Sequence, residues 1–458
     1  MLGVVVTLLV IGFVAYGIIK KYYPPIVLLL AGIVMLIVAS FMGAMPVADN
    51  KTTHLLAFDY AEAFRGILNS RLPGLGLNIM LIAGFSVYMD RIGASKALVK
   101  LCVRPLSAIR SPYVLLALTY VVGQFIALFV NSAVGLGLLL MASIYPLLIA
   151  LGVSRLSAAA VIASTCCLDL GPSSSNAIRA ADLVGTDVVT FFIRDQMPVA
   201  LVVIATVALG HFFIQRWFDN RDKAAGKLVE ERVDTSNVDK AFEGAGPVHY
   251  ALLPMLPLVL LIGFSPLFHS PIKLSLQTGL LVSLFIVFLV DCVTRRNLKT
   301  CIQDSAAIFE GMGKVFTSTV SLICCAELFA LGLNKLGGIS LLISSAAAME
   351  SAGVIVMLMV MLAIMLLAAV LTGSGNAAFF AFSPLLPEAA ASVGMSTAVL
   401  AVPVQLAAGI GRTMSPIAGV MIAVSGISGL SPFDIVRRTI PVMILGLIAN
   451  VLASLILL

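Results

Sequence analysis

Long apolar runs separated by short polar punctuation fill almost the whole chain. About 20 apolar residues in a helix cross the ~30 Å hydrocarbon layer of a bilayer. On that measure, spans are predicted over 3–19, 25–44, 74–90, 112–130, 138–151, 155–180 (interrupted) and 197–217. After a polar stretch they resume over 250–268, 274–293, 315–333, 353–371, 377–391, 396–424 (interrupted) and 438–457. The shorter pieces read as half-helices or re-entrant hairpins. Phe58–Arg71 and Leu298–Lys314 are polar enough to lie along the interface. Met1-Leu-Gly lacks a basic leader region, so the first run reads as a retained span.

Four interruptions fall inside otherwise apolar runs: Val130–Gly137, Gly171–Asn176, Leu371–Asn376 and Gly409–Gly419. Irregular backbone at membrane depth is tolerated only where protein buries it or where it lines a cavity. Pro172 and Pro416 remove a backbone donor and clash with the preceding turn, so each should end or unwind a helix. Helix N-termini exposed at such breaks offer free N–H groups and a positive dipole end, which suits an anion.

The two halves of the chain share this punctuation in one register. Ile92-Gly-Ala-Ser aligns with Leu336-Gly-Gly-Ile at an offset of 244, Gly152-Val-Ser with Gly394-Met-Ser at 242, Pro172 with Pro416 at 244 and Pro198 with Pro441 at 243. Charge gives the orientation. Arg91, Lys96, Lys100, Arg104 and Arg110 mark a cytoplasmic loop, whereas the equivalent loop around Asn334–Ser351 has only Lys335 and Glu350. Lys20-Lys21 also reads as inside, and its counterpart around His269–Lys273 as outside. The predicted fold is an all-α polytopic membrane protein of roughly 10–14 segments, built from two inverted repeats with discontinuous helices, with both termini outside. The predicted division is residues 1–218, a cytoplasmic linker 219–248 carrying Arg221, Lys223, Lys227, Arg232 and Lys240, and residues 249–458.

Composition narrows the class. The chain is 60% hydrophobic and 11% charged, with a mean hydropathy of +1.11, where soluble domains carry about 25% charged residues. The net charge of +6 reads as positive-inside loops, and no basic run with interleaved aromatics points to nucleic acid. The seven cysteines (Cys102, Cys166, Cys167, Cys292, Cys301, Cys324, Cys325) form no CxxC pair and read as small hydrophobes, not as a metal or disulfide framework. His54, His211, His249 and His269 fall near predicted membrane edges or loops, without HExxH or GxSxG, so an enzyme is not expected. No cofactor or metal is implied.

Symmetric breaks point to a secondary transporter, with an anion channel as the rival reading. The candidate substrate-binding residues are Asn131, Ser132, Pro172, Ser173, Ser174, Thr372, Gly373, Ser374, Gly375, Asn376, Arg412, Thr413, Ser415 and Pro416. Arg412 inside a break fits either a grip on a carboxylate or a structural ion pair. Asp169 and Glu327 are the intramembrane acids, candidates for a coupling proton or for pairing with Arg179 or Lys314. Arg179, Asp182 and Arg194 are expected to be solvated near a membrane face.

Thr372-Gly-Ser-Gly-Asn-Ala-Ala-Phe-Phe-Ala-Phe, Gly411-Arg-Thr-Met-Ser-Pro-Ile-Ala-Gly-Val, Ser431-Pro-Phe-Asp-Ile-Val-Arg-Arg-Thr and Asn131-Ser-Ala-Val-Gly-Leu-Gly carry a further signal. With these strings the chain resembles the DcuC family of anaerobic C4-dicarboxylate carriers over essentially its whole length. The resemblance implies transport of fumarate, succinate, malate or aspartate across the bacterial inner membrane, by exchange, proton-coupled symport or succinate efflux. The wider ion-transporter superfamily implies a scaffold and a moving, elevator-type transport domain, often in dimers. Its other groups carry amino acids or monocarboxylates, which is the alternative substrate class. Where relatives tend to read Pro-Thr-Ser-Gly-Asp, this chain has Pro172-Ser-Ser-Ser-Asn176, so an acid of the pattern is replaced while Asp169 stands nearby.

Overall fold

The computed structural model describes all residues except 1–5, 7–8, 11, 15, 18–19, 21, 227–241, 266–271, 273 and 338–352. Much of the predicted span 3–19 and of the linker, and part of each loop at 20–21, 269–273 and 334–351, lie outside the described residues. In the first half, α1 (Pro24–Phe41), α2 (Leu56–Arg91), α3 (Ala94–Val103), α4 (Pro112–Ala127) and α5 (Ala133–Ser143) are followed by α6 (Tyr145–Ala150), α7 (Arg155–Ser164), α8 (Ser175–Val184) and α9 (Val188–Ala224). In the second half come α10 (Val248–Gly263), α11 (Leu276–Arg295), α12 (Leu298–Lys335), α13 (Gly353–Thr372) and α14 (Gly375–Phe382). They lead into α15 (Leu386–Ser392), α16 (Thr397–Thr413), α17 (Gly419–Ser428) and α18 (Pro432–Leu457). Among the described residues there is no strand, and seven helices are long and apolar enough to cross a membrane.

The element order repeats as the punctuation predicts. The helices opening at Ala133, Arg155, Ser175 and Val188 recur at Gly375, Thr397, Gly419 and Pro432, offsets of 242, 242, 244 and 244. The polar stretches expected along the interface behave differently: each runs without interruption into the following span, giving α2 and α12. Both long helices widen into a π turn at equivalent places, Leu72–Gly76 and Phe316–Val320, again 244 apart. In α2 the wider turn accommodates Pro73, which has no N–H to donate. In α12 the hydroxyls of Thr317 and Ser318 each donate to Lys314 O at 2.9 Å.

The connector also starts later than residue 219. Helix α9 continues to Ala224, and Asp219 is buried against Arg438 at 2.7 Å, with Ser154 and Ser157 donating to the same carboxylate oxygen. At the far end of the connector, Gly246 N donates to Gly93 O at 3.0 Å and Lys96 Nζ to Glu243 O at 2.9 Å.

Packing sorts the described helices into two bodies. In the first, α12 packs on α1 and α2, α11 on α2 and α10, and α3 on α10. In the second, α4, α5, α7, α8 and α9 gather with α13, α14 and α16–α18 around the buried helix α16. Small residues permit the close crossings, as is usual where lipid leaves little hydrophobic drive between helices. A Cβ on Gly311 would meet Ala83 O at 2.7 Å and Gly84 Cα at 2.9 Å, so α12 and α2 touch backbone to backbone. Overpacking of this kind costs about 1–3 kcal/mol. Gly311→Leu should therefore lower the unfolding midpoint in detergent, whereas Gly313→Leu, in open space on the same helix, should leave it near wild type.

Candidate functional site

At the first pair of breaks a serine caps each half-helix. Ser132 Oγ accepts from Gly135 N at 3.0 Å at the start of α5, and Ser374 Oγ accepts from Ala377 N at 3.2 Å at the start of α14. Thr372 Oγ1 donates to Ala368 O at 2.8 Å and accepts from Ser374 N at 3.2 Å, closing the end of α13. Gly373 adopts φ +67°, and a Cβ there would meet Ile417 C at 2.9 Å, so only glycine fits the turn.

The second pair of breaks cross each other. A Cβ on Gly409 would meet Cys167 O at 2.3 Å, so the backbone of α16 lies directly on the 165–174 break. Long polar side chains occupy the stranded backbone groups. Gln405 Nε2 donates to Leu168 O and Asp169 O, both at 3.1 Å; Gln196 Oε1 accepts from Gly171 N at 3.0 Å; and Gln196 Nε2 donates to Gln405 Oε1 at 2.7 Å. Arg412 donates to Cys166 O and pairs with Asp169 Oδ1 at 3.2 Å. Asn176 Nδ2 donates to Asp169 Oδ2 at 3.3 Å. Ser174 caps α8, accepting from Ala177 N at 3.4 Å, and Ser173 donates to Leu128 O across the two breaks of the first half.

Between the breaks lies a cavity of about 150 Å³, bordered by Asn131, Asp169, Ser173, Ser174 and Asn376 from the second body and by Ile82, Ala83, Val315 and Thr319 from the first. That is well above the ~10–15 Å³ that one water requires. Ala133, Ser175 and Asn376 stand in the first turns of α5, α8 and α14, so three helix N-termini border one space. Free N–H groups and dipole ends there favour an anion. The resident carboxylate of Asp169 is already matched by Arg412.

The remaining candidates fall elsewhere. Thr372 and Ser374 border a separate, mostly apolar cavity of about 310 Å³ with Tyr22, Pro24 and Leu28. Pro172 borders a narrow one of about 30 Å³ beside Asn131 and Ser173. Ser132 is engaged as a cap. Gly375 packs so that a Cβ would meet Ala408 O at 2.7 Å. Thr413 is buried and donates to Gly409 O at 3.0 Å, Ser415 is buried with its hydroxyl unpartnered, and Pro416 lies in the turn before α17. Glu327 pairs with Arg71 at 3.2 Å and with Arg179. Arg179, expected in solvent, is 1% exposed instead, because Glu327 and Asp182 compensate its charge. His211, expected at an edge, is buried within α9 with Nε2 2.8 Å from Ser164 Oγ. The sequence reading missed Gln196 and Gln405. Their signal is isolation: each is a lone amide at an apolar run or its edge, where a polar side chain is expensive unless it serves a partner.

The family model for DcuC, the C4-dicarboxylate anaerobic carrier, matches residues 2–458. The chain belongs to the DcuC family. A relative from Vibrio cholerae, named a probable anaerobic C4-dicarboxylate transporter DcuC, is 37% identical over 460 residues, covering 100% of this chain and 98% of that one. The anaerobic C4-dicarboxylate transporter DcuC of Escherichia coli K12 is 35% identical over 455 residues, covering 99% and 95%. In fold, this DcuC-family chain is similar to the crystal structure of the Alcanivorax borkumensis YdaH transporter. The TM-score is 0.57 at 15% identity, covering 94% of this chain and 97% of that one. The chain is accordingly a multi-pass transporter of the bacterial inner membrane and not an enzyme.

Leaving a buried hydrogen-bonding group unpaired costs about 1–3 kcal/mol. Gln405→Leu strands two carbonyls and the Gln196 amide at once. It should lower the unfolding midpoint of this DcuC-family chain clearly, and more than Gln277→Leu, an exposed amide on α11.

Proposed function

We propose that the chain carries C4-dicarboxylates such as fumarate, succinate, malate and aspartate, and that the 150 Å³ cavity holds the substrate. One carboxylate sits at the converging N-termini of α5, α8 and α14, with Asn131 and Asn376 as side-chain donors and Ser173, its proton given to Leu128 O, bordering the same space. The single observation that carries this reading is that convergence. It joins residues from three of the four breaks in a space where the one acid among the described lining residues, Asp169, is paired with Arg412. Family membership supplies the substrate class.

Most of the cavity's polar lining belongs to the second body, and the first contributes Ile82, Ala83, Val315 and Thr319. That division supports an elevator-type cycle in which the second body carries substrate past the first. Asp169 and Glu327 are both ion-paired, which favours obligatory exchange over proton symport through either acid.

Counterflow in proteoliposomes tests the proposal. With succinate inside, labelled fumarate should enter rapidly and saturably, and a pH gradient should change the rate little. A hydrogen bond to a charged group is worth about 1.5–3 kcal/mol, so Asn131→Ala and Asn376→Ala should each raise the half-saturating fumarate concentration about ten- to a hundredfold. Folded protein that exchanges no C4-dicarboxylate would contradict the substrate. Wild-type kinetics in both variants would contradict the site.

A further inference from the structure

Away from the residues that line the cavity, four charged groups meet at the seam between the two bodies. Arg71 stands at the end of the first segment of α2, directly before its π turn, and Glu327 on α12, both in the first body. Arg179 and Asp182 stand one turn apart on α8 in the second. Two contacts cross the seam: Arg71 Nη1 to Asp182 Oδ2 at 3.2 Å, and Arg179 Nη2 to Glu327 Oε1. Two stay within a body: Arg71 Nη2 to Glu327 Oε1 at 3.2 Å, and Arg179 Nη1 to Asp182 Oδ2 at 2.9 Å. Arg179 Nε also donates to Ser383 Oγ at 3.3 Å, just beyond α14, which fixes the guanidinium from its own side.

Two cations and two anions balance in this cluster, and each body owns one of each. Breaking the largely buried Arg179–Glu327 contact alone would be costly because it leaves an uncompensated charge, whereas Arg71 and Asp182 are each about one third exposed and their contact is weakened by solvent. Here separation along the seam breaks only the crossing contacts, and each body departs with a neutral pair already in place. A substrate anion has no net positive charge to answer in this cluster, so its role is mechanical.

The geometry points to a partner-sharing latch. Arg71, Glu327, Arg179 and Asp182 hold this conformation across the seam and release it without exposing an unpaired charge, which allows the second body to move. The latch rests on the reading of the second body as the moving part of a carrier. It differs from the substrate site in that it acts with or without ligand.

The test measures distances between spin labels at Phe58→Cys on α2 and Leu209→Cys on α9, both exposed positions, in full-length protein with Cys102 and Cys292 replaced by serine. Arg71→Gln/Glu327→Gln removes the first body's pair whole, and Arg179→Gln/Asp182→Asn removes the second body's pair. Each double variant should shift the ligand-free distance distribution away from the wild-type population. In counterflow each should exchange at least as fast as wild type. Glu327→Gln alone leaves two arginines facing one acid and should slow exchange about tenfold or more. Should one double variant fail to fold, the other carries the same test. Distance distributions indistinguishable from wild type in a folded double variant, or double variants as slow as Glu327→Gln, would overturn the latch. A distance shift in the double variants, when folded wild-type protein too exchanges no dicarboxylate, would support the latch while sinking the substrate assignment.

Discussion

Interrupting a helix inside an apolar body strands backbone N–H and C=O groups that water cannot reach, and everything at the centre of this protein follows from how those groups are satisfied. The first pair of breaks is handled locally, by Ser132, Thr372 and Ser374 bonding to backbone two to four residues away. The second pair is handled at long range, through the Gln196–Gln405 relay and Arg412. Gln405 and Arg412 belong to the half opposite the 165–174 break they satisfy, so the two halves cannot separate there without stranding its carbonyls.

This arrangement divides labour between charge and dipole. Asp169, Arg412, Arg71, Glu327, Arg179 and Asp182 all find ionic partners within the protein, so the cavity presents amides, hydroxyls and helix ends instead of a bare cation. A dicarboxylate in the proposed site would be bound without a buried full charge waiting for it in the empty state, which would be costly to maintain. Such a site can release its anion on either side, as a carrier must.

The backbone plan was largely legible in the sequence, because clusters of glycine, proline, serine and asparagine inside apolar runs interrupt helices, and the offset near 243 recurs at helix starts. Phe58–Arg71 has the low apolar content of an interfacial helix, and its continuity with the following span was not legible because the π turn that carries α2 past Pro73 has no simple sequence signature. Glu327 was visible as a costly charge with Arg179 among its candidate partners, whereas Arg179 itself looked solvated, because the contact that buries it lies 148 residues away in the chain. Arg412 was placed in the right break, yet only tertiary packing reveals that Cys166 O and Asp169 occupy its guanidinium. Thr372 and Asn376, four residues apart, look alike in the string and border different cavities, because Thr372 ends α13 and Asn376 lies beyond the turn, in the first turn of α14.

The most direct measurement is an electron cryo-microscopy map of the full chain in lipid nanodiscs with saturating fumarate. The account predicts density for the anion between Asn131, Ser173 and Asn376 at the N-termini of α5, α8 and α14. Density beside Thr372 and Tyr22 instead, or none in a map that resolves the surrounding side chains, would contradict it.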